Sequence, residues 1–332
     1  MKRISSSAPT RIDLAGGTLD IWPLYLFHEH ALTVNAAISL RAHAEITART
    51  DGRIRLESID TSKCVEVARR QDLSDGQGLP LLSRLAHFFR AENLTLRTRA
   101  ESPAGAGIAG SSALNVAVCG ALAAWAGLKM DAETLLTIAM NVEAQVINVP
   151  TGVQDYRPAY YGGVAAIELR PDGVTRAAIG VDVDALQRRI ILAYTGAPHF
   201  SGTNNWEIMK RHIDGDRHVF ECFDRIVEAA TGVRTALSRG DWAGVATQIN
   251  LEWEARKKLA PGVTTPMIET LMTGAFAAGA RAAKVCGAGG GGCLFCLVDP
   301  QDAPAVEHAL TAGGARILQY RIENEGLRVL SS

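Results

Sequence analysis

The chain is 332 residues long, 47% apolar and 21% charged, with a formal net charge of −1. A chain of this length and composition folds, comfortably as two domains, which excludes a disordered protein. Near-neutral charge without a basic block argues against nucleic acid or an anionic membrane as a partner, no run of about 18 apolar residues suggests a span, and a cytoplasmic location is expected.

Residues 4–14 and 31–49 alternate or run apolar as strands do, and 41–68 reads as further strands around the turn Asp51-Gly52. Within this region lies Ala8-Pro-Thr-Arg-Ile-Asp-Leu-Ala-Gly-Gly-Thr-Leu-Asp20, a strand that ends in Gly16-Gly17 and presents Asp20 at a loop mouth. Asp20 either caps a short helix over 22–27 or offers its carboxylate to a ligand. His28 and His30 follow as candidates to flank a site, but two ligands do not close a metal centre.

Residues 79–91 read as an amphipathic helix and 94–100 as a strand. That strand leads into Ser102-Pro-Ala-Gly-Ala-Gly-Ile-Ala-Gly-Ser-Ser-Ala113, followed by an apolar helix over 113–126 broken only by Asn115. So apolar a helix is buried along most of its length, and its first turn is held rigidly. The unpaired amides of that turn and the positive end of the helix dipole form an anion site. Gly105, Gly107 and Gly110 let the backbone come close to a ligand, for which phosphate is the natural candidate. The loop lacks the Gly-Lys-Ser/Thr ending of a P-loop and the glycine spacing of a dinucleotide fingerprint.

Asp131 reads as the N-cap of a helix reaching about 148. Glu143 lies at the edge of its apolar stripe, where a carboxylate either reaches solvent or is met by a cation. In segment 149–163, Gly152, Pro158 and Gly162-Gly163 exclude one continuous helix, so Asp155 sits in a fixed loop twelve residues after Glu143. A strand over 164–169, a linker-like polar stretch over 172–189 and a strand over 190–195 follow, with a domain boundary near 190. His199 and Asn204 lie in a polar loop, and helices are expected over 206–213, 216–238, 242–259 and 265–278. Four consecutive glycines in Ala283-Lys-Val-Cys-Gly-Ala-Gly-Gly-Gly-Gly-Cys293 allow close backbone approach before a strand over 294–298. Cys293-x-x-Cys296 has no second ligand pair and reads as buried free thiols. A helix over 303–312 and strands over 315–322 and 327–330 close the chain.

Three of these segments resemble the motifs of the GHMP kinases. Pro9-Thr-Arg11-Ile-Asp-Leu14-Ala-Gly16 is similar to the family's first motif, Pro103 to Ala113 to its second, and Lys284-Val-Cys-Gly-Ala-Gly-Gly-Gly-Gly to its third. Gly152-Val-Gln154-Asp155-Tyr-Arg-Pro-Ala-Tyr-Tyr-Gly-Gly163 resembles the loop of the branch acting on heptose phosphate and fucose. The resemblance implies an α+β, two-domain fold: a ribosomal-protein-like domain over 1–190, with a left-handed β-α-β unit and the phosphate loop 102–113, and a ferredoxin-like domain over 191–332 with the glycine loop 284–293. The active site would lie in the cleft between them.

The resemblance also implies ATP and Mg²⁺ as nucleotide and metal. Pro103, Gly105, Ala106, Gly107, Gly110, Ser111, Ser112, Ala113 and Gly289 would surround the nucleotide, and Ser112 and Glu143 would hold the metal. Asp155 would take the acceptor's hydroxyl proton or orient that hydroxyl, with Arg11 beside it. Asp20, Gly17, Thr18, Gly152, Gln154 and Arg157 would contact the acceptor. Two departures bear on the acceptor: the usual Gly-Gly-Gly-Thr-Asp is Gly16-Gly-Thr-Leu-Asp20, and the usual Lys before Gln-Asp is Val153, a charge that Arg157 would restore. The nearest branch is the D-glycero-D-manno-heptose 7-phosphate kinases, which implies phosphorylation of the anomeric hydroxyl to the 1,7-bisphosphate. The alternatives are another acceptor, such as fucose, galactose or an isoprenoid-pathway alcohol, and a silent sensor that binds sugar and ATP. A homodimer is a possible assembly.

Overall fold

The segment Arg3–Ala15 (β1) alternates buried and exposed at its start and is buried continuously from Ala8 onward. One face of it meets solvent only until a second layer covers it, after which both faces need apolar or paired side chains. In the computed structural model, which describes residues 2–197 and 201–332 with the side chains of 201–204 left aside, β1 organises an eight-stranded sheet. The long strand Leu32–Ala48 (β2) runs antiparallel beside it, with Ile12 opposite Ala36 and Ile4 opposite Ile46. Ile54–Ser58 (β3) and Lys63–Val67 (β4) form a hairpin. Pro80–Phe88 (α1) then leads to Leu94–Ala100 (β5), which is parallel to β3 and antiparallel to β2.

Gly110–Trp125 (α2) and Ala132–Ile147 (α3) follow. The Asp131 carboxylate accepts from Thr134 N at 2.8 Å, the cap expected for α3. The helix α2 is buried at eleven positions because it packs on β1 and β2 on one side and α3 on another. Tyr156–Tyr161 (α4) interrupts what the sequence suggests is loop, and Val164–Arg170 (β6) pairs with the first residues of β2. The linker expected over 172–189 is instead the strand Gly173–Ala178 (β7), paired with β6, and the short helix Val183–Gln187 (α5). A β7 that is half exposed carries no hydrophobic alternation to read, so pairing rather than pattern makes it a strand.

Ile190–Tyr194 (β8) begins a second sheet of four antiparallel strands. Ser201–Ile213 (α6), Arg217–Arg239 (α7), Trp242–Arg256 (α8) and Pro266–Ala277 (α9) precede Ala280–Val285 (β9) and Cys293–Val298 (β10). Ala303–Ala312 (α10), Arg316–Ile317 (β11) and Arg328–Ser331 (β12) end the chain. β12 returns to the first sheet and pairs with β1, Ile4 opposite Ser331. One apolar core joins the two sheets, since Ile12, Val34, Leu192, Val233 and Phe295 pack in a single cluster. Cys293 and Cys296 are buried free thiols within β10. Among the described residues no helix is long and apolar enough to cross a membrane.

Candidate active site

Chain geometry at the start of α2 makes the phosphate loop. Gly105, Gly107 and Ala109 have positive φ of 67°, 69° and 61°, so alternate peptides reverse and their amides form a concavity suited to an anion. The first helical bond runs from Ala113 N to Ala109 O at 3.0 Å, which leaves the amides of Gly110, Ser111 and Ser112 ahead of the ladder. The loop between β9 and β10 lies against this turn. Cys293 N donates to Ala106 O at 2.7 Å, and a Cβ on Gly287 would press on the Gly107 backbone, so only glycine allows the approach. Arg11, from the middle of β1, ties both loops down, donating to Gly107 O at 2.9 Å and Cys286 O at 2.8 Å.

The other edge of the same guanidinium meets Asp155. Its Nε and Nη2 donate to Asp155 Oδ1 at 3.1 and 2.6 Å, while the Asp155 side chain keeps 30% exposure. Burial works against the Arg11 charge, but Asp155 and Asp13 outweigh it and hold its pKa above the ordinary arginine value. Asp155 is the residue before α4, and Pro158 sits early enough in that helix that its missing N–H costs nothing. Asp20 is not a helix cap, since Pro23 precedes the helical turn Leu24–Phe27. It is buried, and its Oδ2 accepts from Gln154 N at 2.9 Å. Burial, with Asp155 nearby, pushes its pKa up to about 7.

Glu143 is buried on α3 and accepts from Ser111 Oγ at 2.7 Å, Tyr156 OH at 2.7 Å and Asn115 Nδ2 at 3.4 Å. Its pKa is raised by burial in spite of those donors, so a cation beside it would relieve the cost of its charge. Among the described residues no three His, Cys, Asp or Glu side chains gather as a metal site. One carboxylate and the nearby serine hydroxyls fit Mg²⁺, which takes few protein oxygens and completes its shell with phosphate and water.

These groups line one cleft of about 440 Å³, which brings together most of the residues expected at a site. Arg11, Thr18, Asp20, Glu143, Gly152, Gln154 and Asp155 face it, together with Pro103, Gly105, Ala106, Gly107, Gly110, Ser111 and Ser112. Four others do not line it. Ala113 is buried in the first turn of α2, Gly17 sits beside the Asp13, Gln154 and Arg256 side chains, and Gly289 packs on the Val263 carbonyl. Arg157 donates to Glu133 Oε2 at 2.6 Å and to Val153 O at 3.4 Å. Of the two serines, it is Ser111 that touches Glu143. His28 is engaged by Asp224 and His212 at 2.7 and 2.9 Å, and neither it nor His30 faces the cleft. His199 and the Asn204 side chain lie outside the described residues.

Sequence reasoning did not single out Tyr156, which holds Glu143, or Arg256, which lines the cleft from α8. The only signal for Arg256 is its spacing four residues after Glu252, which on a helix reads as an ordinary exposed pair.

Two family models match the chain: the GHMP kinases N terminal domain over residues 80–163 and the GHMP kinases C terminal over residues 233–316, together half of its length. The chain belongs to the GHMP kinase family. The first match takes in the phosphate loop, Glu143 and Asp155, and the second takes in the glycine loop between β9 and β10. As a GHMP kinase the protein is a phosphotransferase with the family's two-domain α+β fold, and ATP is the family's phosphoryl donor. It is 28% identical to a D-glycero-alpha-D-manno-heptose 7-phosphate kinase of Campylobacter jejuni, over 99% of both chains. A mevalonate kinase of Thermococcus sibiricus is 26% identical over 98% of both. Among solved structures, a D-glycero-D-manno-heptose 1-phosphate kinase from Bacteroides thetaiotaomicron superposes with a TM-score of 0.79 at 25% identity, covering 98% of each chain.

Proposed function

We propose that this GHMP kinase phosphorylates a sugar phosphate, D-glycero-D-manno-heptose 7-phosphate, at its anomeric hydroxyl to give the 1,7-bisphosphate. The observation that carries the reading is Asp155 on the cleft wall, ion-paired to an Arg11 that also binds the phosphate loop. End-to-end similarity to a heptose 7-phosphate kinase supports the acceptor.

The amides of Gly110, Ser111 and Ser112, with the loop from Pro103 through Gly105, Ala106 and Gly107, hold the nucleotide's β- and γ-phosphates. Glu143 and Ser112, with Ser111 beside them, would hold Mg²⁺, and the ion would supply positive charge to offset that on the transferring group. The acceptor oxygen attacks the γ-phosphorus, its bond to the bridging oxygen breaks, and ADP leaves. Arg11 occupies Asp155 Oδ1, so Oδ2 receives the hydroxyl proton or orients the hydroxyl until that proton departs. Arg11 is placed to balance charge developing on the phosphoryl group. Asp20, Thr18, Gly152 and Gln154 form the acceptor end. The start of the second sheet at β8 supports a division of the chain near residue 190, and Asn205, Arg256, Gly287 and Ala288 bring the second part to the cleft, although β12 returns to the first sheet.

A second reading has one observation in its favour. Among the described residues lining the cleft the cations are Arg11 and Arg256, and both are ion-paired to carboxylates, which suits an unphosphorylated sugar such as fucose or galactose. An acceptor panel of the heptose 7-phosphate, fucose, galactose and mevalonate, read by ADP release and product analysis, separates the two. The heptose phosphate is expected to give the highest kcat/KM. Transfer to none of them would leave a ligand-binding role. Asp155→Asn is expected to lower kcat on the best acceptor by about 10²–10⁴ while leaving ATP affinity unchanged.

A further inference from the structure

Thr18 has a φ of +71°, a conformation that a β-branched side chain resists and keeps only where its surroundings hold it. Arg256 holds it. Nη2 of that guanidinium donates to Thr18 Oγ1 at 3.1 Å and to Gly287 O at 2.9 Å. Nη1 lies 3.1 Å from Glu252 Oε1 and 3.3 Å from Asp13 Oδ2, and Lys284 Nζ lies 2.8 Å from the same Glu252 oxygen. The four side chains are between 0% and 2% exposed, and their charges cancel.

Two buried cations and two buried carboxylates are a weak source of stability, because apolar residues of equal volume do as well or better. What such a cluster does supply is a guanidinium fixed in one position. Thr18 Oγ1 accepts its hydrogen bond from Arg256, which leaves the threonine's own proton to be donated, and Thr18 faces the cleft with Asp20.

We propose that Arg256 is a positioning residue for the acceptor: it sets the Thr18 hydroxyl as a hydrogen-bond donor to an acceptor oxygen, and Asp13, Glu252 and Lys284 hold Arg256 for that task. Arg256 comes from α8 and Thr18 from the turn after β1, so the acceptor end is complete only when these two parts of the chain are packed together. The inference rests on reading the 16–20 turn as the acceptor site.

Steady-state kinetics on the full chain test it, with the heptose 7-phosphate or the best acceptor of the panel above. Thr18→Val, which removes the hydroxyl and leaves the ion cluster intact, is expected to raise acceptor KM about tenfold, the effect of one hydrogen bond to a ligand, with ATP KM unchanged. Thr18→Ser is expected to restore it. Arg256→Gln, made with Glu252→Gln so that Asp13 keeps Lys284 as a balanced partner, is expected to raise acceptor KM to the same extent. Adding Thr18→Val to that pair is expected to cost nothing more, because both act through one hydroxyl. An unaltered acceptor KM in Thr18→Val overturns the proposal whether or not the Arg256 variant folds. So does a folded Arg256 variant whose effect is absent or adds fully to that of Thr18→Val. If Asp20→Asn also leaves acceptor KM unaltered, the reading of the turn has failed; if Asp20→Asn raises it and the Thr18 and Arg256 changes do not, only this inference has.

Discussion

Asp20 and Asp155 share the acceptor end of the cleft but live in different surroundings. Asp155 has a guanidinium; Asp20 has one backbone amide and a low-dielectric wall. A carboxyl lifted from 3.8 to about 7 keeps its proton in the folded state where the unfolded chain has lost it. The native state therefore binds more protons between those values, and stability contributed by Asp20 falls as pH rises through that window, then levels off above about 7. Asp20→Asn is expected to be neutral near pH 4 and to gain stability over the wild type progressively up to pH 7, with no further gain at pH 8. Urea unfolding midpoints across that range check it, and a gain that appears only below pH 4 would reverse the sign.

The turn-rich segment 150–155 brings the Asp155 carboxylate to the cleft through one close approach. Ile21 and Gly152 form an isolated bridge, and Val153 N donates to Asp20 O at 3.3 Å. A Cβ on Gly152 would overlap the Asp20 carboxylate, which cannot move because it is buried. Gly152→Ala is expected to destabilise the protein by about 1–3 kcal/mol through overpacking and to raise acceptor KM more than ATP KM. Equal effects on both substrates would mean that the whole cleft, rather than the acceptor end, has shifted. At this scale the helices and their caps were readable, since the 3.6-residue pattern and Asp131 mark α3 without outside help. Three elements were not, among them α5, which falls in a polar stretch that reads as linker. β7 exists because β6 offers it a partner, and α4 exists because Pro158 falls where a helix needs no N–H.

Across the whole molecule, the two sheets are joined by apolar packing and by the ion cluster, and the magnitudes separate what each charge contributes. An exposed pair such as Lys210 with Asp214 is worth at most about 1 kcal/mol. Lys284 is fully buried between Glu252 and Asp13, 2.8 and 3.5 Å away. Lys284→Met leaves two buried carboxylates with a single arginine, and is expected to cost about 3–5 kcal/mol in urea unfolding. Lys210→Met is the control and is expected to shift stability by less than about 1 kcal/mol.

The amino-acid order alone determined the local chemistry: a glycine loop feeding a buried helix, a carboxylate twelve residues on from another, and a second glycine loop downstream. These are short-range features, set by which backbone conformations glycine permits and by which faces of a helix are apolar. Only the tertiary structure decided which partners those groups meet. It put Ser111 rather than Ser112 against Glu143, and turned Arg157 toward Glu133 instead of the cleft. It also buried an ordinary-looking Glu252–Arg256 pair beneath the acceptor turn. The first two choices join residues 32 and 24 apart and the last joins Arg256 to Thr18 across more than 200 residues, and no periodicity records any of them. Burial then fixes their energetic meaning, because the same charge pair is minor in water and decisive out of it.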